Sequence, residues 1–293
     1  MNIEVTKTST KKLSKKVMPH FVVFADVMGT KNRIRKCAKN FKKLDRELNQ
    51  FYDVIDSNVE LLKIVESFKG NVKIFSDSIL ISVPILSDPI TRKFDDGRAE
   101  IAIPIIHIAG FQYSLMLKGF PLRGGCSIGH GFADSKISFG PVIIDAWETE
   151  ENNIYPAIFL DPRVVTLLNY YLKLKYPGFD DGPFNWIISD STGRHFINYL
   201  YFIFEMAKFN AELQETGFTN DSLFDFNPDA KSELLLHKEI IETHLSDPEL
   251  FEKYFWLACY HNFFCTKYLP NPEIFLISDG TKFDFTIIGT DIS

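Results

Sequence analysis

The chain has 293 residues, 45% of them apolar, and a formal net charge of −6. That is enough apolar material for a buried core, and the acidic balance argues against a protein that binds by wrapping a nucleic-acid backbone, which needs a basic face. The four cysteines, Cys37, Cys126, Cys259 and Cys265, are scattered without a disulfide framework; this is the usage of a reducing compartment, and a cytoplasmic location is expected.

Residues 1–18 form a Ser/Thr/Lys-rich arm in which Lys7, Lys11, Lys12, Lys15 and Lys16 cluster without the apolar stretch of a secretory signal. "HFVVFADV" follows, apolar, β-branched and aromatic; it predicts a short buried strand that ends on Asp26 just before Gly29. From about 31 to 66, apolar residues including Ile34, Phe41, Leu44, Leu48, Phe51 and Ile55 recur at helical spacing, with a break expected near "DSN". "VKIF" and "ILISV" around "SDS" then predict a β-hairpin with Asp77 at its tip.

A helix is expected over about 97–118, closed by Gly119; its apolar run "IAIPIIHIAG" is too short to cross a bilayer. "PLRGGCSIGHGF" predicts a strand whose glycines admit close neighbours. Gly140 and Pro141 open a helix with Phe139, Val142, Ile143 and Ala146 on one face. Next come a strand at 155–161, a hairpin at 186–200 turning on "DSTG", helices near 200–215, 231–246 and 248–268, and a final hairpin turning on Asp279-Gly280. The order implies an α+β fold with a mostly antiparallel sheet packed by helices.

Asp26 and Asp77 each leave a short apolar strand at a turn, and one helical segment lies between them. Taken alone, either is an ordinary turn residue or helix cap. Together on neighbouring strands they repel unless a cation lies between them, and hard divalent ions accept carboxylates while leaving positions for phosphate. "VMGTKN" adds backbone amides at a helix start, a favourable seat for polyphosphate. Cys259, His261 and Cys265 lie in an aromatic helix and read as core rather than as a zinc site. Ser76 and Ser127 have no paired base, so a serine nucleophile is not indicated.

"FADVMG", "VKIFSDSILIS", "LRGGCSIGHG" and "ISFGPVIIDAWETEEN", in this order and spacing, resemble the catalytic core of class III nucleotidyl cyclases. The resemblance spans about residues 20–200 and is greatest to the bacterial pyrimidine cyclases of Pycsar antiphage defence. "HKEIIETHL" and "KYFWLACYHNFF" also look like that branch. It implies a ferredoxin-like, palm-type catalytic domain at 19–200, with residues 201–293 as a helical extension and hairpin packed on it.

Position by position, the resemblance makes Asp26, Asp77 and the Val27 carbonyl the ligands of two divalent ions, Mn²⁺ or Mg²⁺. Met28, Gly29 and Thr30 fall on the phosphate loop, and Lys73 stands where purine cyclases read the base. Ile137 replaces an acidic base reader, so the chain departs from an adenylate cyclase. The family's ribose-binding asparagine and transition-state arginine align with Ile144 and Glu148, which cannot do those tasks. Arg123 is the leading substitute cation, with Lys282 behind it. A homodimer with sites at the interface is implied, making a cyclic pyrimidine monophosphate from UTP or CTP for a separate cyclic-nucleotide-binding effector. The rival expectation is a weak or inactive cyclase-like dimer that senses nucleotide.

Overall fold

The computed structural model describes residues 16–85, 99–175, 183–278 and 285–287. The arm up to Lys15, the Asp279-Gly280 turn and Lys282 lie outside them.

The first half runs β1 (Met18–Val27), α1 (Thr30–Cys37), α2 (Phe41–Val59), α3 (Ile64–Ser67), β2 (Asn71–Phe75), β3 (Ser78–Pro84), α4 (Ala99–Leu117) and β4 (Leu122–Ala133). Its strands lie in the order β2-β3-β1-β4, each pair antiparallel. A strand-helix-strand-strand-helix-strand chain in that order is the ferredoxin-like arrangement. The chain continues with β5 (Ser138–Phe139), α5 (Pro141–Glu151), β6 (Ile158–Leu160), α6 (Pro162–Lys175), β7 (Ile187–Ser189) and β8 (His195–Ile197). Helices α7 (Phe202–Leu213), α8 (Leu223–Phe226), α9 (Asp229–Leu245) and α10 (Phe251–Tyr268) precede β9 (Thr286–Ile287). The sheet extends β4-β6-β8-β7-β9, and among the described residues only β4 and β6 pair in parallel. The protein is therefore α+β with a mostly antiparallel sheet packed by helices.

Alternation along β1 divides the two faces of the sheet. Phe21, Val23, Ala25 and Val27 enter the main core with Ile79, Ile81 and residues of α2 and α4. Val22, Phe24 and Asp26 lie on the other face, where Val22 and Leu80 meet Val142 and Ala146 of α5. Helix α5 comes so close to β4 that a Cβ at Gly125 would stand 2.3 Å from the Ala146 carbonyl oxygen. Glycine is required there. Helix α4, long and apolar enough by length and composition to span a membrane, is mostly buried within the protein.

Several elements differ from expectation. The first helical region breaks just past "DSN", where α2 ends at Val59, and also, unexpectedly, after α1, where the Asn40 side chain accepts from the Lys43 N–H and caps a new helix. Such a cap stabilises a helix by about 1 kcal/mol. Helix α6 has no counterpart in the sequence reading, although Asp161-Pro162 carries a start signal, the Asp161 carboxylate accepting from the Arg163 N–H. Phe139 is exposed in β5 rather than packed beside Val142. The first limb of the expected final hairpin is not a strand. Its polar groups go to helix side chains instead: Asn262 bonds both the Ile277 N–H and carbonyl, and Lys238 donates to the Leu276 carbonyl at 2.7 Å. Among the described residues of this region only β9 joins the sheet, beside β7.

Between α9 and α10 runs a buried polar chain. The Phe275 carbonyl can only accept, so His261 donates to it from Nε2 (3.0 Å), leaving Nδ1 as an acceptor. His237 Nδ1–H therefore donates to His261 Nδ1 (2.9 Å), and Tyr199 O–H donates to His237 Nε2 (2.8 Å). In this arrangement both rings are neutral. Cys265 packs at the same ring and stays a buried free thiol, which fits the core reading of this helix.

Two measurements check this packing. Gly125→Ala should lower stability by about 1–3 kcal/mol, seen in urea unfolding, because backbone rather than a flexible side chain must yield. Burial lowers the pKa of both histidines, His261 to about 4 from 6.5. The unfolded chain then binds more protons than the folded one across that window, so stability falls as pH drops from about 6.5 towards 4, by up to about 1.4 kcal/mol per pH unit per histidine. Calorimetry of His237→Gln should give a flatter dependence over the same range.

Candidate functional site

The site forms where β1 ends. Asp26 is the register partner of Ser78 on one side and of Arg123 on the other. The next residue, Val27, donates its N–H to the Asp77 carbonyl at 2.9 Å, which ties the hairpin tip to the end of β1. Ser76 takes a left-handed conformation (φ 57°) in that two-residue turn, an uncommon and strained choice for a side-chain-bearing residue. The turn holds Asp77 close enough for its charge to act on Asp26.

The two carboxylates differ in support. Ser78 O–H donates to Asp26 at 3.0 Å, and Ser76 O–H donates to Asp77 at 3.0 Å. Asp26 is half-buried, and its pKa is raised: desolvation is the largest cause, opposed by the Ser78 hydrogen bond, reinforced by the Asp77 charge and opposed by Arg123. A cation reverses this imbalance directly.

A divalent ion fits the donors present. Asp26 and Asp77 supply hard oxygen ligands, and the Val27 carbonyl is nearby, already accepting from Thr30 O–H at 2.9 Å. Among the described residues there is no group of three or more His, Cys, Asp or Glu suited to a metal. Mg²⁺-type sites commonly use one or two carboxylates and draw the rest of their shell from water and substrate phosphate, so the pair is sufficient chemistry.

After Val27 the chain turns through Met28, whose N–H donates to the Pro121 carbonyl at 2.8 Å, into Gly29 at φ 81°. Gly29 caps α1, and a Cβ there would meet nothing within 4 Å, so the backbone is open to a ligand on that side. Met28, Gly29 and Thr30 thus stand beside the carboxylates at a helix start.

Arg123 faces α5, where it forms an ion pair with the buried Glu150. Its Nε has no hydrogen-bond partner among the described residues. Glu150 has a raised pKa, chiefly from desolvation, with Arg123 pulling it down and Asp26 pushing it up. Arg123 therefore serves two carboxylates at once, and its charge is shared rather than free. Sequence reasoning missed Glu150, although it falls on the i, i+4, i+8 line with Val142 and Ala146 that faces the sheet.

Lys73 lies on the same sheet face as Asp26 and Phe75, two strands away by register. Its Nζ donates to Ser138 Oγ at 2.8 Å, and desolvation lowers its pKa. The structure thus brings Lys73 next to the Ile137 region. Ser138 was not singled out from sequence, because nothing local marks a residue that matters through a partner 65 positions away. Phe24 and Phe75, 6.5 Å apart, line the face between Lys73 and Asp26. Ile144 and Glu148 are exposed on α5.

No protein-family model matches the chain, and no curated protein matches it in sequence. Solved structures with a partly similar fold include the guanylyl cyclase Cya2, at 12% identity and TM-score 0.36, over 52% of this chain and 79% of that one. The monomeric guanylyl cyclase domain of the RhoGC fusion protein from the aquatic fungus Blastocladiella emersonii matches at 12% identity and TM-score 0.40, over 63% and 97%. A bacterial light-regulated adenylyl cyclase matches at 12% identity and TM-score 0.39, over 64% and 54%. Likeness at this level is too partial to transfer a substrate or a residue's role.

Because ionised Asp26 is unfavourable without a cation, its stabilising contribution is largest at low pH and is lost as pH rises through its elevated pKa. Asp26→Asn should therefore raise the melting temperature of metal-free protein at neutral pH, by on the order of a degree. Added Mn²⁺ should raise that of wild type and leave the variant unmoved, as read by differential scanning calorimetry.

Proposed function

We propose that the chain is a metal-dependent nucleotidyl cyclase that converts a pyrimidine nucleoside triphosphate, UTP before CTP, into its 3',5'-cyclic monophosphate and pyrophosphate, a cytoplasmic second messenger in antiphage defence. The observation that carries this reading is the meeting of Asp26 and Asp77 at adjacent strand ends beside the open Gly29 turn. Residues 19–200 act as the catalytic domain, and the helices after them buttress it.

In the reaction, the 3'-oxygen forms a bond to the α-phosphorus while the bond from that phosphorus to the bridging oxygen breaks, and pyrophosphate leaves. Asp26, Asp77 and the Val27 carbonyl hold one or two Mn²⁺ or Mg²⁺ ions, which when bound supply Lewis-acid activation and charge neutralisation. Asp26 and Asp77 would hold the ion beside the 3'-hydroxyl, whose proton passes to water as the new bond forms. Met28, Gly29 and Thr30 seat the phosphates, and Arg123 contributes positive charge beside them.

Base preference is assigned to Lys73 and Ser138. An ammonium offers donors only, and once it donates to the Ser138 oxygen the hydroxyl proton is turned to a further acceptor. Two donors suit the carbonyl oxygens of uracil better than the exocyclic amine of cytosine. The product is read by a separate cyclic-nucleotide-binding effector. A homodimer completes the site, an assignment supported by the exposed apolar residues Phe75, Phe139, Ile144 and Trp147 around this face.

A second reading, a nucleotide-binding sensor with little turnover, is favoured by Ile144 and Glu148 and by the Glu150 carboxylate that holds Arg123. Incubation of purified protein with each of the four nucleoside triphosphates and Mn²⁺, with products identified by mass, separates the two. Cyclic UMP should dominate, and Asp77→Ala should lower its rate at least about a hundredfold. Lys73→Met should lower kcat/KM for UTP by about tenfold or more, with a smaller effect on CTP. If no nucleotide yields a cyclic product and Asp77→Ala matches wild type, the enzyme reading fails.

A further inference from the structure

A cavity of about 340 Å³ opens between α1, α2 and the tip of the β2–β3 hairpin. Its walls are Ile34, Leu44, Leu48, Phe51 and Phe120, with Thr30 and Ser76 among its lining. This is roughly twice the volume of an engineered apolar cavity that binds benzene, and within the range of small-molecule sites.

The walls are fixed by contacts that leave little net charge in the cavity. Arg33 donates from Nε to Glu47 at 2.9 Å, from Nη1 to the Gly119 carbonyl at 3.3 Å and from Nη2 to Gln50 at 3.4 Å. Its guanidinium also stands 4.2 Å from the centre of the Phe120 ring, which meets Phe51 edge-on. The guanidinium and the Glu47 carboxylate neutralise each other. An ionic ligand would have to break that pair, whereas a neutral apolar one would fill the space at no electrostatic cost and cover Ile34 and Leu48, which are otherwise exposed.

Two of the polar lining residues are each one hydrogen bond from the candidate metal and phosphate groups. Thr30 donates to the Val27 carbonyl, and Ser76 donates to the Asp77 carboxylate. We propose that this cavity binds a neutral, mainly apolar small molecule of about two rings or a comparable alkyl chain, and that its occupancy alters the cation affinity of the Asp26–Asp77 pair. The second clause rests on the metal reading of that pair; the first does not.

The test uses the full chain with indole and 1-octanol as neutral probes and octanoate as the charged control. Saturation-transfer NMR with titration should show one-to-one saturable binding of both neutral probes. Octanoate should bind at least about tenfold more weakly, and Leu48→Trp, which fills the space from an exposed position, should lose at least about tenfold in affinity for the neutral probes. Absence of saturable binding, equal binding of octanoate, or unchanged binding by a folded Leu48→Trp overturns the proposal. A change in sedimentation between wild type and Leu48→Trp without probe binding assigns the face to a second copy, and also overturns it. For the coupling, free Mn²⁺ measured by electron paramagnetic resonance should show a dissociation constant shifted at least about threefold by saturating 1-octanol. An unmoved constant overturns the coupling, and failure of Mn²⁺ to bind at all overturns both the metal reading and the coupling, while probe binding remains decided by the first arm.

Discussion

The arrangement depends on one strand paired without interruption on both sides. β1 is in register with β3 from His20 to Asp26 and with β4 from Met18 to Val27. Because the two ladders end together, the last side chain on the α5 face, Asp26, meets Ser78 from one neighbour and Arg123 from the other. The hairpin tip is drawn in by the Val27 N–H, so Asp77 arrives through the same pairing. No loop search is needed to assemble the acidic pair; completing the sheet assembles it.

The surrounding charges follow from this placement. Asp26 has lost water and gained a like-charged neighbour, and Arg123 compensates only in part because Glu150 competes for it. Burying a charge network is tolerated when its members are paired, and is costly when one is removed. The close approach of α5, allowed by Gly125, brings Glu150 within reach of Arg123. A packing residue with no polar atom in its side chain thereby sets the electrostatics of a polar site. On the same face, Lys73 and Ser138 join β2 to the start of β5.

Much of this could be read from local signals. The β1 and hairpin strands show in their apolar, β-branched runs, and Asp26, Gly29 and Asp77 show because they interrupt those runs. Ser78, Glu150 and Ser138 were not legible, since each matters through a partner that only the fold brings near. Helix α6 is hard to read because the β-branched Val164 and Val165 follow β6 closely and mask the Asp161-Pro162 start signal. The misread limb at 273–278 is apolar and looks like a strand, but its backbone is satisfied by Asn262 and Lys238, and hydrogen-bonding partners of that kind leave no period in a sequence. Arg123 was found as a cation, while the carboxylate that restrains it was not.

The unequal faces of the sheet have a consequence for how ligands approach. Behind β1, β3 and β4 lies the dry main core, a poor dielectric; on the other face α5 covers the sheet, and Asp26 and Asp77 at the strand ends stay partly exposed. A low-dielectric backing redirects field lines forward instead of letting them spread through the protein. The acidic pair therefore acts most strongly toward the strand ends, where a cation is favoured and an anion is not. For the proposed reaction this sets an order of arrival: the cation enters before, or together with, the nucleotide.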